Sequence, residues 1–147
     1  NLLLGHAHLS QGIQNGDTKW LALPSWMLSY NYMVSNEWAI GFHSDIIIEN
    51  FQVEANARSA GDREILERSY PISFLAAGTY KPLPHLGILA GGGFEYAREE
   101  TFGLIRLGLE PAYRISRRLE VVINLSYDFK INAYNNWNLG FGIAHVF

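Results

Sequence analysis

The sequence predicts an all-β fold: an eight-stranded antiparallel up-and-down barrel that forms a single domain over residues 1–147. Apolar residues recur at every second position through most of the chain, and no long stretch keeps a helical period. The alternating segments are longer than ordinary globular strands, and most of the connections between them are short. These observations indicate long strands that pair with their neighbours as hairpins.

The alternation divides the chain into eight predicted strands. Their bounds are Leu3–Ile13, Lys19–Tyr32, Trp38–Val53, Glu64–Lys81, Leu86–Arg98, Phe102–Arg114, Leu119–Ile131 and Asn136–Phe147. Two prolines, Pro24 and Pro71, fall inside these segments, where proline is expected at a bulge or near a strand end.

Three connections are tight and share a spacing, in which an outward tyrosine is followed six positions later by an outward apolar residue. They run from Tyr32 to Trp38, from Tyr80 to Leu86 and from Tyr113 to Leu119. The segment Glu54–Arg63 is the one long connection. Because the number of strands is even, both termini are expected on the side of the three tight turns.

The volume of the side chains predicts which face of each strand points outward. Eight strands enclose a lumen just wide enough for side chains or for one small ligand. The apolar face, with residues such as Trp20, Trp26, Phe42 and Phe129, would overfill that lumen, whereas the opposite face is rich in small, amide and charged residues. We therefore expect a transmembrane barrel whose apolar face meets lipid. A soluble, lipocalin-like carrier with the apolar face inside is the alternative.

Aromatic residues on the predicted outward face fall at two levels, one beside the tight turns and one near the opposite rim. Two such girdles flanking an aliphatic band are typical of the two membrane interfaces. The girdle residues are Trp20, Tyr32, Trp38, Tyr80, Tyr96, Tyr113, Phe129 and Trp137.

The last predicted strand alternates large and small residues and ends on the aromatic Phe147. With this pattern the chain resembles the small eight-stranded bacterial outer-membrane β-barrel proteins. The segment from Trp137 resembles their C-terminal assembly signal at Phe141, Ile143 and Phe147, and it departs from that signal at His145. The resemblance implies a bacterial outer-membrane location, periplasmic termini, and outer-membrane lipid and the barrel assembly machinery as partners.

The inward face is predicted to form a salt-bridged filling rather than an aqueous pore, because buried charges need partners. Folding about the turn near Arg117 places Arg106 opposite Asp128. Folding about Glu99 places Gly93 opposite Arg106 and leaves room for the arginine. The same turn near Arg117 pairs Glu110 with Asn124 and Arg114 with Glu120. The predicted lumen network consists of Arg106, Asp128, Glu110, Glu95, Arg114, Glu120 and Lys130.

The composition argues against several other functions. The net charge is −3 without a long basic block, so nucleic acid is not an expected partner, and the chain has no cysteine for disulfides or thiolate metal sites. His6 and His8 share one face of the first strand. Such a pair can bind zinc or copper, but we expect lumen hydrogen bonds, with no metal and no cofactor.

No catalytic residue is predicted. A lipid A-modifying enzyme would need a nucleophile with a histidine base at the outer rim, and the histidines are expected at mid-strand or lower. Ser44 lies on the face opposite His43 and Asp45. The expected function is therefore that of a structural or interaction protein, or an accessory subunit of a larger outer-membrane complex with other outer-membrane proteins as candidate partners. A lipid A-modifying enzyme is the alternative.

Overall fold

The structure, a computed structural model, describes residues 1–55 and 65–147, and this part of the chain forms ten β-strands. They are β1 (Leu2–Gln14), β2 (Asp17–Met33), β3 (Trp38–Ile47), β4 (Asn50–Glu54), β5 (Ile65–Ser69), β6 (Ile72–Leu83), β7 (Leu86–Tyr96), β8 (Thr101–Arg114), β9 (Leu119–Lys130) and β10 (Asn135–His145). No helix among the described residues is long and apolar enough to cross a membrane.

Eight of these strands form a closed antiparallel ring. Its order is β1, β2, β3, β6, β7, β8, β9 and β10, and β10 pairs back with β1 from Leu2 opposite Ile143 to Leu9 opposite Asn136. The closure leaves no free edge in this ring. The predicted eight-stranded up-and-down barrel is confirmed.

One end of the barrel holds both termini and the three tight turns, and we call it the terminal end; the opposite end is the loop end. At the terminal end, two turns share a geometry, in which Val34 N donates to Trp38 O and Ile115 N donates to Leu119 O, both at 2.9 Å. At the loop end, Asn15 and Gly16 join β1 to β2 with φ of 54° and 83°. Positive φ at both central residues matches the twist of a two-residue hairpin.

The predicted strands Trp38–Val53 and Glu64–Lys81 are each broken in two. Tyr70 has a φ of 46°, and Pro71 after it has no N–H to donate, so the ladder of β6 cannot continue into β5. The detached strands β4 and β5 pair with each other, and β4 also pairs with the end of β1 through Val53 opposite Gly12. Pro24, in contrast, lies within β2. The central part of the predicted long loop, with the start of the fourth predicted strand, lies outside the described residues.

Large apolar side chains point outward on the barrel wall, as predicted; Phe42 is 73% exposed and Tyr113 is 76% exposed. The prediction for the first strand was wrong, because Leu3, Ala7 and Leu9 are buried inside and His6 and His8 lie outside. Residues 2–4 are all leucine, so alternation alone does not define a face there. Pairing with β2 and β10 sets it instead.

Candidate functional site: the lumen and its cap

The centre of the lumen is built around Arg106 of β8. Its Nε and a terminal nitrogen donate to the two carboxylate oxygens of Asp128 on β9 at 2.6 and 2.7 Å, and it also contacts the carboxylate of Asp45 on β3. The predicted register of Arg106 opposite Asp128 is observed. A planar guanidinium that pairs with two carboxylates ties three strands together across the lumen.

Hydrogen bonds continue from this pair toward the loop end. Asn138 donates to Asp128 at 2.9 Å, and Asn136 donates to Asn138 at 2.7 Å. Lys130 donates to Asn136 and lies 3.1 Å from a carboxylate oxygen of Glu95. The two asparagines were not among the predicted network residues, although their even positions on the last strand place them on its inward face.

Arg68 of β5 joins this network from the loop end of the barrel. It donates to Glu95 on β7 at 2.7 Å and to the carbonyl oxygen of Glu100 at 2.7 Å, and its guanidinium lies 4.7 Å from the centre of the Phe102 ring. Tyr134 also donates to Glu95, at 2.7 Å. Sequence reasoning missed Arg68, because a continuous fourth strand would place it on the outward face.

An apolar cluster surrounds Arg68 and Tyr134 and closes the loop end of the lumen. It joins β4 to β1, β2, β3, β8 and the turn before β10, with the ring of Phe51 edge-on to Tyr134 at 5.8 Å. Contacts on so many sides mean that the β4–β5 hairpin, which we call the cap, lies across the opening. The cluster consists of Ala7, Leu9, Leu23, Ile47, Phe51, Val53, Phe102, Ala133 and Tyr134, with Leu21 and Leu66 packed against it.

The described buried charges of this network balance. Three carboxylates, of Asp45, Glu95 and Asp128, face the three cations of Arg68, Arg106 and Lys130. Taking a charge out of water costs several kcal/mol unless a partner offsets it. The centre and the loop end of the lumen therefore hold paired charges, where an aqueous channel would need solvated ones.

The remaining predicted lumen residues lie nearer the terminal end. Asn124 donates to Glu110 at 3.0 Å, as the predicted register requires, and Arg114 pairs with Glu120 at 2.9 Å. The Arg114 side chain is 64% exposed, so this pair belongs to the rim. A cavity of about 400 Å³ opens here, lined in part by Thr79, Glu110 and Glu120. The terminal end of the lumen therefore keeps space that the central network does not fill.

The predicted place of Gly93 was wrong. Gly91, not Gly93, lies opposite Arg106, because the turn after β7 pairs Tyr96 with Thr101. A Cβ at Gly91 would come within 2.8 Å of the carbonyl oxygen of Ala76 and the Cβ of Ala77. Close approach of β6 therefore requires this glycine, rather than room for the arginine.

The histidines have separate surroundings. His43 lies in the lumen and shares a 3.1 Å hydrogen bond with Asn31, and His145 packs edge-on against Phe147 at 4.7 Å. His8 lies opposite Trp137, and this position is closer to the loop end than predicted. Among the described residues, no group of three or more histidine, cysteine, aspartate or glutamate side chains could hold a metal ion.

The predicted surface residues lie on the outward face. Phe141, Ile143 and Phe147 are exposed on the wall and at its end. Tyr127 forms edge-on ring contacts with Phe129 at 4.6 Å and with Trp137 at 4.7 Å. The eight predicted girdle residues share this face, namely Trp20, Tyr32, Trp38, Tyr80, Tyr96, Tyr113, Phe129 and Trp137.

Comparison with known proteins gives a fold but no relative by sequence. No family model matches the chain, and no curated protein sequence matches it. The crystal structure of Ail, the attachment invasion locus protein of Yersinia pestis, is 12% identical with a TM-score of 0.59, and the match covers 98% of this chain and 95% of Ail. The structure of the same outer-membrane protein in a phospholipid bilayer nanodisc is 15% identical with a TM-score of 0.55, and the match covers 99% and 97%. The chain therefore has the fold of the small eight-stranded outer-membrane β-barrels.

Proposed function

We propose that this protein is an integral outer-membrane barrel with a filled, non-conducting lumen, and that it acts as a structural or interaction protein. The observation that supports this most directly is the occlusion of the lumen at two levels. Arg106 with its two carboxylates fills the middle, and the cap with Arg68 fills the loop end. An ion crossing the barrel would have to displace both layers.

The outward wall supports placement in a membrane. Exposed apolar side chains cover strands around the ring, which would be an aggregation hazard in water and is the normal surface in lipid. In this proposal the termini are periplasmic, because short turns lie on the periplasmic side of outer-membrane barrels. Outer-membrane lipid is then the main contact, and the barrel assembly machinery is the partner during insertion.

Conductance tests the filled lumen. The purified protein in planar bilayers should show no conductance steps, because the buried ion pairs leave no continuous water path. A triple variant, Arg106→Ser with Asp45→Ser and Asp128→Ser, removes the central layer and keeps the cap. The net charge of that layer rises by one, and the barrel should also stay closed because the cap still fills the loop end. Regular steps from the native protein would overturn the proposal.

The finer role that we propose is that of an accessory subunit, with the wall or the loop end as the contact surface. Trp26 is a candidate contact, because it is 42% exposed between Leu4 of β1 and Ile46 of β3, on the wall. Deleting the protein should then release a subunit from a membrane complex resolved on native gels. If every such complex migrates unchanged, the accessory role is wrong.

We propose that the barrel is non-catalytic. His8 and Ser10 lie two positions apart on β1 and are solvent-accessible, but no hydrogen bond between them is seen in the described part of the chain. A serine without a bonded base is a weak nucleophile. Mass spectrometry of lipid A from cells with and without the protein should show the same acylation. A change that the Ser10→Ala variant abolishes would favour the enzyme instead.

A further inference from the structure

Two imidazoles lie side by side on the outer wall, on β1. His6 and His8 flank the fully buried Ala7, so their side chains project from the same outward face, and their ring centres are 6.3 Å apart. Apart from this ring contact, no hydrogen bond or ion pair involves either ring within residues 1–55 and 65–147. Ionisable side chains on an apolar wall are costly and generally mark a functional site.

The neighbouring strands leave the pair accessible. On β2, the residues opposite His6 and His8 are Pro24 and Ala22, both small. On β10, the residue opposite His8 is Trp137, which belongs to the aromatic level nearer the loop end. Aromatic levels of this kind lie where lipid meets water.

Side-chain rotation can bring the two rings onto one ion. Metal–nitrogen bonds of about 2.0–2.1 Å place each ring centre about 3.2 Å from the ion, so two rings on a tetrahedral ion have centres about 5.2 Å apart. The observed ring centres are 6.3 Å apart, which is about 1 Å wider. The backbone therefore presents both rings near one ion, and rotation about their side-chain torsions must close the remaining distance.

We propose that His6 and His8 together bind one divalent transition-metal ion, Cu²⁺ or Zn²⁺, on the outer wall of the barrel. Imidazole suits these ions, whereas Mg²⁺ and Ca²⁺ prefer oxygen ligands. With two protein ligands, the remaining positions are taken by water, which is available at the level of Trp137. The site is open and exchangeable, and it rests on the proposed membrane placement, in which Trp137 lies at the level where lipid meets water.

Metal titration of the full chain in detergent tests the site. Zn²⁺ affinity is measured by competition with a chromophoric chelator, and the number of nitrogen ligands is read from the electron paramagnetic resonance spectrum of bound Cu²⁺. The variants are His6→Ala, His8→Ala and the double variant, and the matched controls are Ser10→Ala on the same strand and His145→Ala, an exposed histidine at the other end. Migration on unheated gels checks that each variant is folded.

The native protein should bind one ion through two imidazole nitrogens. Each single variant should weaken Zn²⁺ binding by about tenfold or more, which corresponds to about 1.4 kcal/mol, and the controls should bind like the native protein. Acidification should release the ion, because protons compete for the same nitrogens. Binding by the double variant that equals binding by the native protein overturns the proposal, because the ion would then lie elsewhere, for example at the terminal amine. The absence of binding at millimolar metal also overturns it.

Discussion

Arg68 of β5 donates a 2.7 Å hydrogen bond to Glu95 of β7, although β6 separates their two strands in the chain and β6, not β5, is the neighbour of β7 in the barrel. The contact exists because the chain bends at Tyr70 and Pro71, which turns the cap over the lumen. It couples the cap to Lys130 and Tyr134, the other partners of Glu95. The closure of the loop end thus depends on a buried ion pair as well as on apolar packing.

Replacing Arg68 by methionine should destabilise the barrel by about 3 kcal/mol, because Glu95 loses one of its buried partners. Urea unfolding in detergent micelles measures the change, and hydrogen exchange should show the loss of protection concentrated in β4 and β5. The matched control is Arg114→Met, whose exposed pair with Glu120 should contribute less than about 1 kcal/mol. Equal effects of the two variants would contradict the importance of the cap.

The stability effects of substitutions at Arg106, Asp45 and Asp128 should be coupled. Arg106→Met alone leaves the carboxylates of Asp45 and Asp128 buried without their main partner, and it should cost about 3–5 kcal/mol. Adding Asp45→Asn and Asp128→Asn should recover a large part of this loss, since no uncompensated charge remains. Unfolding free energies of the single, double and triple variants measure the coupling; losses that simply add would argue against a shared network.

Two adjacent glycines of β7 give a test of backbone packing. A Cβ at Gly93 would overlap the carbonyl oxygen of Phe74 and lie 2.8 Å from the Cα of Leu75, whereas a Cβ at Gly92 would meet nothing closer than 3.7 Å. Gly93→Ala should therefore destabilise the protein by about 1–3 kcal/mol. Gly92→Ala should be neutral or stabilise it by about 0.5 kcal/mol, through a less flexible unfolded chain. Thermal unfolding distinguishes the two variants, and a reversed order would contradict the observed approach of β6.

The loop-end turn after β7 should respond to acid. The Ser69 hydroxyl donates to Glu99 at 2.6 Å and the Ser69 amide donates at 3.1 Å, and the side-chain hydrogen bond is the main reason that the pKa of Glu99 is held below its ordinary value. Because the folded pKa is depressed, the contact is fully present above the ordinary pKa of glutamate and is lost as the pH falls through the lower folded value. The protection of the Ser69 amide from hydrogen exchange, relative to its intrinsic exchange rate at the same pH, should fall in that acid range, and Glu99→Gln should remove this step.

The sequence by itself determined the barrel wall apart from the orientation of β1. Strand alternation is a local property with a period of two, so strands such as Leu119–Ile131 and their outward faces could be read from neighbouring residues. Hairpin registers across tight turns are nearly as local, and Arg106 opposite Asp128 and Arg114 opposite Glu120 followed from counting. Where a turn was placed one residue away from its true position, the register shifted by two residues, as with Gly93.

Only the tertiary structure decided how the lumen is closed and which way β1 faces. Arg68, Phe51 and Tyr134 come from distant parts of the chain, and they meet because β4 and β5 leave the wall. Pro71 signals that a strand ends there, but no local pattern indicates where the detached hairpin packs. The orientation of His6 and His8 follows from pairing with β2 and β10, since a one-residue change of register moves a whole strand's side chains to the other face. Local alternation defines strands, whereas long-range pairing and packing define what those strands enclose.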